Sequence, residues 1–378
     1  MGEKRAVKRG RKRNKIEYID YTLLVLVIIL LAFGFVMLYS TSAYMATLKN
    51  GNSIFYLKKQ MFAAGLGTVF GFIFIKFFDY HILEKFAMPI FLLANVLCLA
   101  VNFIGSASNG SSRWIYLGPF SFQPSEVAKM ATIFFLASII AKRPKAMKDF
   151  KNSIKMIVMV LPVVAFIAAN NLSTAVIVFG IAVIMIFVAS PEIMKFALIG
   201  GGGICFAAIF VLVASGSYRM QRIQVWLHPE NFTGDSSYQT LQGLYAIGSG
   251  GLFGKGLGES MQKLGFVPEA QNDMIFSIIC EELGLFGALC VILLFILLLW
   301  RLVFIATRAK DMFGSFVVIG IMAHLALQVI LNIAVVTNTI PNTGITLPFI
   351  SYGGTSIMFL VFEMAVALSI SKGLRLEN

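Results

Sequence analysis

Long apolar segments recur along the whole chain, and they constrain its fold more than any other feature. We count about ten runs long enough to cross a bilayer, at roughly 20 residues for each span. This pattern predicts an all-α polytopic membrane protein of about ten transmembrane helices, with one large extracellular loop between helices 7 and 8. The predicted spans lie near residues 21–41, 61–77, 87–104, 127–141, 155–170, 172–190, 194–214, 274–300, 313–336 and 351–371.

The composition excludes an ordinary soluble protein. Of the 378 residues, 58% are hydrophobic and 13% are charged, whereas soluble domains carry about a quarter charged residues. This length accommodates one membrane domain and no separate soluble domain of ordinary size. We predict a basic tail over residues 1–20, a membrane domain over residues 21–371 with a large external loop at 215–272, and a C-terminal tail over residues 372–378.

Basic residues predict the orientation of the chain in the membrane. The net charge is +13, and much of it lies in the segment KRAVKRGRKRNK at residues 4–15. No folded basic domain follows, so a cytoplasmic tail beside anionic lipid is favoured over nucleic-acid binding. Lys and Arg also concentrate at 142–155, at 301–310 and near the C-terminus. With an even number of spans, both termini are predicted to be cytoplasmic, and the first apolar run is interpreted as a retained signal anchor.

The cysteines and histidines do not predict a metal site. Each cysteine sits in an apolar run, without metal-ligand spacing, and buried thiols are the simpler interpretation. The histidines are scattered and form no zinc pattern. The residues concerned are Cys98, Cys205, Cys280, Cys290, His81, His228 and His324.

Carboxylates at a predicted membrane boundary are the strongest candidates for chemistry. The segment FVPEAQNDMIFSIICEELG places Glu269 and Asp273 just before an apolar run, and Glu281 and Glu282 within it. Desolvating a carboxylate is costly unless it is paired or performs chemistry. The alternative is a solvated loop followed by an ordinary helix start.

A second candidate segment is RWIYLGPFSFQPSEVAK, from Arg113 to Lys129. Its Gln-Pro-Ser-Glu sequence at 123–126 predicts a helix N-terminus. Glu126 and Lys129 are three residues apart, so they share a helix face and can pair. A purely structural ion pair and a functional pair both remain open.

The predicted large loop carries cations where the positive-inside rule predicts few. Such cations near the outer headgroups could bind phosphate or pyrophosphate. They are Arg219, Arg222, Lys255 and Lys263. The same loop contains GSGGLFGKGLG at 248–258, which is neither a Walker A loop nor a dinucleotide fingerprint. Close approach of its amides to an anion and simple tight turns explain these glycines equally well.

The segment NTIPNTGITLPFISYGGTS, from Asn338 to Ser356, interrupts helical structure beside a span. Pro341, Pro348 and the pair Gly353-Gly354 disfavour a helix there. Non-helical backbone at membrane depth must line a cavity or be buried in protein. A re-entrant or cavity-lining segment is therefore predicted.

Together these segments resemble the SEDS family (shape, elongation, division and sporulation), which comprises the FtsW, RodA and SpoVE polymerases of bacterial cell walls. The resemblance rests on YSTSA at 39–43, RWIYLGPFSFQPSEVAK at 113–129, EELG at 281–284, PNTGITLPFISYGGTS at 341–356, and the long segment at 238–276. The form GLYAIGSGGLFGKGLG is most similar to the division and sporulation branch. One departure is Asn171 in NNLST, where family members commonly carry an acid.

The resemblance implies a peptidoglycan glycosyltransferase that polymerises lipid II into β-1,4 glycan strands for septal wall synthesis and releases undecaprenyl pyrophosphate. Asp273 is then expected to be the catalytic base. Expected substrate contacts are Arg219, Arg222, Lys255, Lys263, Lys129, Gln239 and Ser351, and expected polar cavity residues are Glu126, Asn171, Glu269, Glu281 and Asn332. No metal ligand is assigned, and a divalent cation, Mg or Mn, is left open as a cofactor.

The resemblance also implies a bacterial plasma-membrane location and a set of partners. These are lipid II, a class B penicillin-binding protein and other divisome or elongasome membrane proteins, with no nucleic acid. Two rival functions stay open, namely a lipid II flippase and a non-catalytic scaffold for the penicillin-binding protein.

Overall fold

The structure, a computed structural model, describes residues 19–104, 106–108, 111–117, 120–190, 201–202, 226–231 and 235–374. These residues form ten α-helices, numbered here in chain order. The helices are α1 (Tyr21–Asn50), α2 (Phe55–Phe77), α3 (His81–Ile104), α4 (Pro124–Lys142), α5 (Phe150–Ala168), α6 (Leu172–Ala189), α7 (Asp235–Gly250), α8 (Ile275–Arg308), α9 (Met312–Val336) and α10 (Thr355–Ser371). Short 3₁₀ turns lie at Pro144–Lys148 and Pro229–Asn231.

The described helices confirm an all-helical, multi-pass architecture. By length and composition, 8 helices can cross a membrane, namely α1 to α6, α8 and α9. The apolar helix α10 is shorter, with 17 residues. These nine helices correspond to nine of the predicted spans. Apart from residues 201–202, the predicted span at 194–214 lies outside the described residues, as do residues 1–18 of the basic tail and residues 375–378 of the C-terminal tail.

Local capping residues decide where several helices begin and end. The Asp20 carboxylate accepts a hydrogen bond from Leu23 N at 2.9 Å and so caps α1. It also pairs with Arg301 of α8 at 2.8 Å. Helix α1 continues to Asn50, beyond the predicted end at residue 41, and stops at Gly51, whose φ of 64° is left-handed. Hydropathy marks the bilayer-spanning part of a helix, whereas the cap marks its true end.

Close helix packing surrounds α4, which the other helices enclose. Most of its side chains are buried, including Glu126 and Lys129. It packs against α3, α6 and α9. Helix α10 packs tightly on α2, where a Cβ at Gly67 would lie 2.7 Å from Met358 O. The small residue is what lets these two backbones approach.

A small antiparallel sheet in the α3–α4 connection was not predicted. It contains β1 (Ser106–Ser108), β2 (Ser111–Leu117) and β3 (Phe120–Phe122), in the order β1-β2-β3. Trp114 pairs with Ser106, and Ile115 pairs with Phe122. Aromatic and β-branched residues favour strands, but the strands are too short to show a convincing alternation in sequence.

Two segments depart from helical structure, one within α8 and one between α9 and α10. Helix α8 is broken at Gly284, whose φ of 68° and ψ of −168° are not helical. Residues 337–354 contain no helix, in agreement with the prediction from their proline and glycine residues. Part of this segment is deeply buried, as Leu347, Phe349 and Ile350 show. The predicted large loop is partly helical, because its described part contains α7.

Candidate functional site

The carboxylate of Asp273 lies in a pocket formed by three separate parts of the chain. Asp273 stands two residues before α8 and is 9% exposed. Its Oδ1 lies 3.5 Å from Nε2 of Gln239 on α7, at the long end of a hydrogen bond. A Cβ at Gly344 would lie 3.8 Å from its Oδ2. The pocket therefore combines the segment before α8, helix α7 and the 337–354 segment.

An amide on α9 fixes the backbone around this carboxylate. Asn332 is fully buried, and its Nδ2 donates to the carbonyl of Asp273 at 2.8 Å and to that of Ile345 at 2.7 Å. One turn earlier, Gln328 Nε2 donates to the carbonyl of Thr346 at 3.0 Å. The two amides hold the non-helical segments against a rigid helix, which restricts the position of Asp273.

Burial changes the acidity of Asp273. Removal from water raises the pKa of its carboxyl from 3.8 to about 6, because the charged form is poorly solvated. The nearby Glu269 carboxylate raises the pKa further, while the hydrogen bond from Gln239 lowers it. Glu269 is itself exposed. A carboxyl that titrates close to neutral pH suits proton transfer.

The lysines of the large loop are paired with the two glutamates of EELG. Lys255 Nζ lies 2.7 Å from Oε1 of Glu281, and Lys263 Nζ lies 2.7 Å from Oε1 of Glu282. Both glutamates are fully buried. Ser40 of α1 completes the second pair by donating to Glu282 Oε1 at 2.7 Å. The side chain of Lys255 is 36% exposed and that of Lys263 only 8%, so Lys255 is the more accessible to a ligand.

The glycine-rich loop packs onto the break in α8. The amides of Lys255 and Gly256 donate to the carbonyls of Glu281 and Glu282, each at 2.9 Å. A Cβ at Gly284 would lie 2.3 Å from Gly254 N, so only glycine fits this contact. Of the two explanations for these glycines, the structure favours tight turns and close backbone contact, since these amides already have partners.

Glu126 and Lys129 form the pair that their spacing predicts. Lys129 Nζ lies 2.9 Å from Glu126 Oε1, and both side chains are buried. Ser356, at the start of α10, donates to Glu126 Oε2 at 3.0 Å. The pair therefore ties α4 to the end of the 337–354 segment that helps to form the Asp273 pocket.

Two further predicted site residues have structural partners. The side chain of Asn171 accepts from Thr174 N at 3.1 Å and so caps α6. Ser351 accepts from Leu347 N at 2.8 Å through its hydroxyl and from Gln60 at 3.0 Å through its carbonyl. Neither side chain touches Asp273. Arg219 and Arg222 lie outside the described residues.

The described residues do not present a ready metal cage. Among them, no group of three or more His, Cys, Asp or Glu side chains could hold a metal ion. Asn171, which stands where an acid is common in the family, directs its oxygen at the α6 backbone. We therefore assign no protein ligand to a divalent cation and route no chemical step through one.

A groove of about 690 Å³ opens between α1, α2 and the large loop. Its walls are mostly apolar, and its polar groups include Ser40 and Lys263. The groove therefore places an apolar trough beside the Lys263–Glu282 pair, an arrangement that fits a lipid chain with a polar head.

Sequence reasoning missed several functional candidates. Asn342 contacts Gln239 at 3.2 Å, and Ser40 contacts Glu282, yet neither pairing has a spacing signal because the partners are far apart in sequence. A buried hydrogen bond also joins Nδ1 of His324 on α9 to Oε2 of Glu363 on α10 at 2.9 Å. Only a lone polar residue on an apolar helix could have pointed to it.

Comparison with known proteins covers almost the whole chain. A family model described as "Cell cycle protein", named for FtsW, RodA and SpoVE, matches residues 21–376. The chain is 40% identical to Stage V sporulation protein E of Bacillus subtilis (strain 168), covering 93% of this chain and 97% of the relative. It is 37% identical to the probable peptidoglycan glycosyltransferase FtsW of Geobacter sp. (strain M18), covering 96% and 99%.

A solved structure supports the same relationship. The chain superposes with a TM-score of 0.77 and 27% identity on a chain from a peptidoglycan synthase complex that coordinates polymerization and crosslinking. The match covers 93% of this chain and 97% of that chain. The helical architecture is thus shared over nearly its full length.

Proposed function

The chain belongs to the FtsW, RodA and SpoVE family of cell cycle proteins, and from that premise we propose that it is a peptidoglycan glycosyltransferase that polymerises lipid II during cell division. It is a multi-pass membrane protein. One structural observation supports the proposal independently of the names of this chain's relatives. A buried carboxylate with a pKa of about 6, Asp273, lies in a pocket bounded by neutral amides.

The chemistry requires a base within hydrogen-bond reach of an attacking hydroxyl. In the proposed reaction, the 4-hydroxyl oxygen of one lipid-linked disaccharide bonds to the anomeric carbon of another. The bond from that carbon to undecaprenyl pyrophosphate breaks, and the pyrophosphate takes the electron pair. The hydroxyl proton passes to Asp273. General base catalysis of this kind contributes about 10²–10⁴ in rate.

Cations must stabilise the pyrophosphate as its charge develops. We propose Arg219, Arg222 and Lys255 as the principal contacts, with Lys263 and Lys129 as further candidates. All three lysines pair with buried glutamates, but Lys255 is partly exposed, which supports its position in this set, whereas the burial of Lys263 and Lys129 supports a positioning role. A divalent cation, Mg or Mn, would supply charge neutralisation of the pyrophosphate if one takes part, and no residue among those described is assigned to hold it.

The apolar groove supports a place for one polyprenyl chain. Its mostly apolar wall is formed by residues of α1 and α2 with Leu257 and Gly258, and Lys263 and Ser40 are among its polar lining residues. A lipid tail held there would bring its head group toward the large loop.

We propose a class B penicillin-binding protein and other divisome or elongasome proteins as partners, and a bacterial plasma-membrane location with both termini cytoplasmic. Support for the partner comes from the synthase complex that this chain resembles. Support for the orientation comes from the Lys and Arg of the N-terminal segment and the α4–α5 and α8–α9 connections.

Labelled lipid II separates the proposal from its rivals. Purified full-length protein, alone and with its class B penicillin-binding protein, is expected to give a ladder of glycan strands on a gel. A flippase would give no ladder but would move labelled lipid II between leaflets of a vesicle. A scaffold would give no ladder in either condition, and its function would survive Asp273→Asn.

A further inference from the structure

A series of hydrogen bonds runs from the backbone of the 337–354 segment to the Asp273 carboxylate. Gly344 N donates to Oδ1 of Asn342 at 3.1 Å. Asn342 Nδ2 then donates to Oε1 of Gln239 at 3.2 Å. Gln239 Nε2 completes the series, 3.5 Å from Oδ1 of Asp273, and the same NH₂ group also donates to the carbonyl of Pro268 at 3.3 Å, so both ends of the Gln239 amide are held.

The direction of this series is fixed at its start. A backbone N–H can only donate, whereas a side-chain amide has a donating end and an accepting end. Gly344 therefore sets which end of Asn342 faces it, and the NH₂ group of Asn342 is left to face Gln239. That NH₂ group in turn needs the oxygen of Gln239, which turns the NH₂ group of Gln239 toward Asp273. Reversing either amide would place oxygen against oxygen.

We propose that Asn342 is a positioning residue that acts through Gln239, locking the Gln239 amide so that it donates to the ionised Asp273 carboxylate. The inference rests on the proposed role of Asp273 as the base. The spacing of 3.5 Å fits a ground state, since catalytic hydrogen bonds are often long before substrate binds and shorten in the complex.

The series of hydrogen bonds from Gly344 through Asn342 and Gln239 to Asp273 is called the relay below. The surroundings of Asp273 allow it to be tested through the pH dependence of the polymerisation rate. Among the described residues, the charged group that acts on Asp273 is Glu269, on its own segment, and it disfavours ionisation. The groups that reach Asp273 from α7, α9 and the 337–354 segment are uncharged, namely Gln239, Asn332 and Gly344. The donated hydrogen bond from Gln239 favours the ionised form. Its loss should move the acidic limb of the rate profile to higher pH.

Two substitutions of Asn342 separate the relay from simple loop anchoring. Asn342→Ala removes both the acceptor for Gly344 and the donor to Gln239. Asn342→Asp keeps the acceptor for Gly344 but presents only oxygen to Gln239, which destabilises the orientation of the Gln239 amide that the Pro268 carbonyl also favours. Its added negative charge further disfavours ionisation of Asp273, so Asn342→Ala, which adds no charge, is the primary test. Both variants should move the acidic limb of lipid II polymerisation upward by about half a pH unit or more, which lowers the rate at pH 5.5 by about threefold to tenfold. At pH 8 the loss of rate should be smaller than at pH 5.5, because Asp273 is ionised there in the parent and in both variants.

A Gln239→Leu background tests whether Asn342 acts through Gln239. Leu has nearly the same shape as Gln but donates no hydrogen bond, so the acidic limb of Gln239→Leu should already lie at higher pH than that of the parent. Adding Asn342→Ala should then shift it no further, which is the non-additivity expected of residues in one series. Asn52→Ala is the matched control, because the Asn52 side chain accepts from Ile54 N at 3.1 Å in the same kind of turn on the loop between α1 and α2. The acidic limb of the Asn52→Ala pH–rate profile should lie at the same pH as that of the parent.

The outcomes divide cleanly. The relay is wrong if the acidic limb of the pH–rate profile does not move in Asn342→Asp, or if it moves only in Asn342→Ala. It is also wrong if Asn342→Ala shifts the limb by its full amount in the Gln239→Leu background. Asp273→Asn is measured alongside. If it polymerises like the parent, the proposed base is wrong and the relay falls with it. If Asp273→Asn is inactive while the Asn342 variants keep the parent's acidic limb, only the relay is wrong.

Discussion

At the scale of single residues, the structure separates groups with a free chemical role from groups that hold the fold. Asp273 is buried, and its described contacts are with neutral amides, whereas Lys129, Lys255 and Lys263 each pair with a glutamate. A sequence shows that cations are dense in a loop but not which of them already have a partner. The pairing of Lys129 with Glu126 follows from their spacing, whereas Lys255 and Lys263 have partners 26 and 19 residues away and their pairing could not be predicted. The choice of Asp273 as the base stays a prediction.

Asp273→Asn should stabilise the protein while removing its activity. The native state binds the Asp273 proton more tightly than the unfolded chain, so this group's contribution to stability falls as pH rises from about 4 to 6 and is absent above that range. A shift of about two pH units corresponds to about 3 kcal/mol at most. Thermal unfolding in detergent should show the variant more stable than the parent at pH 7.5 and the two converging near pH 4. Equal melting temperatures at both pH values would contradict the burial argument.

Alanine variants of the loop cations should fall into two groups. Arg219→Ala and Arg222→Ala should lower turnover more than stability, because we propose that they contact pyrophosphate. Lys255→Ala should lower turnover for the same reason and should also cost stability, because it leaves the buried Glu281 unpaired. Lys263→Ala leaves Glu282 buried and unpaired, which costs about 3–5 kcal/mol. A matched control, Lys263→Met with Glu282→Gln, removes both charges and should recover much of that stability. If all four single variants polymerise lipid II like the parent, the phosphate site lies elsewhere and Lys129 is the next candidate.

At the scale of elements, periodicity and caps predicted most helices, while contacts between distant segments decided the rest. The start of α4 at Pro124 follows from its Gln-Pro-Ser-Glu sequence. The non-helical character of residues 337–354 follows from proline and glycine. The break in α8 at Gly284 could not be read from EELG alone, because it depends on the glycine loop 30 residues earlier in the chain, which contacts it at Gly254.

The Glu126–Lys129 pair gives the element-scale prediction. Each single substitution, Glu126→Gln or Lys129→Met, leaves an uncompensated buried charge and should cost about 3–5 kcal/mol. The double variant should be markedly less destabilised, and the coupling should exceed about 1 kcal/mol. Thermal unfolding of the four proteins measures this cycle. Additive losses would show that the two charges do not depend on each other.

At the scale of the whole molecule, the count and order of apolar runs predicted a polytopic helical protein. Eight helices among the described residues are long and apolar enough to span a membrane. The small sheet of β1 to β3 was missed, because strands of 3 to 7 residues carry little periodic signal. The contacts that assemble the Asp273 site join residues up to 103 positions apart, as Gln239 and Asn342 are, and no local pattern encodes them.

Orientation supplies the whole-molecule prediction. Epitope tags at the N- and C-termini should both resist protease added to intact spheroplasts, because the basic segments are expected on the cytoplasmic side. A single cysteine at Asn52, in the exposed loop between α1 and α2, should react with an impermeant reagent from outside. Tags both digested from outside would contradict the cytoplasmic orientation, and tags found on opposite sides would contradict the even number of spans.

The central claim is that Asp273 is the base of a lipid II polymerase. The most direct measurement is the initial rate of glycan formation from labelled lipid II by the purified parent and by Asp273→Asn, at equal protein and across pH 5.5–9. We predict a loss of at least about 100-fold at every pH for the variant, with the parent's rate rising through about pH 6. A variant that keeps the parent's rate within a few-fold, with the same acidic limb, would contradict the account.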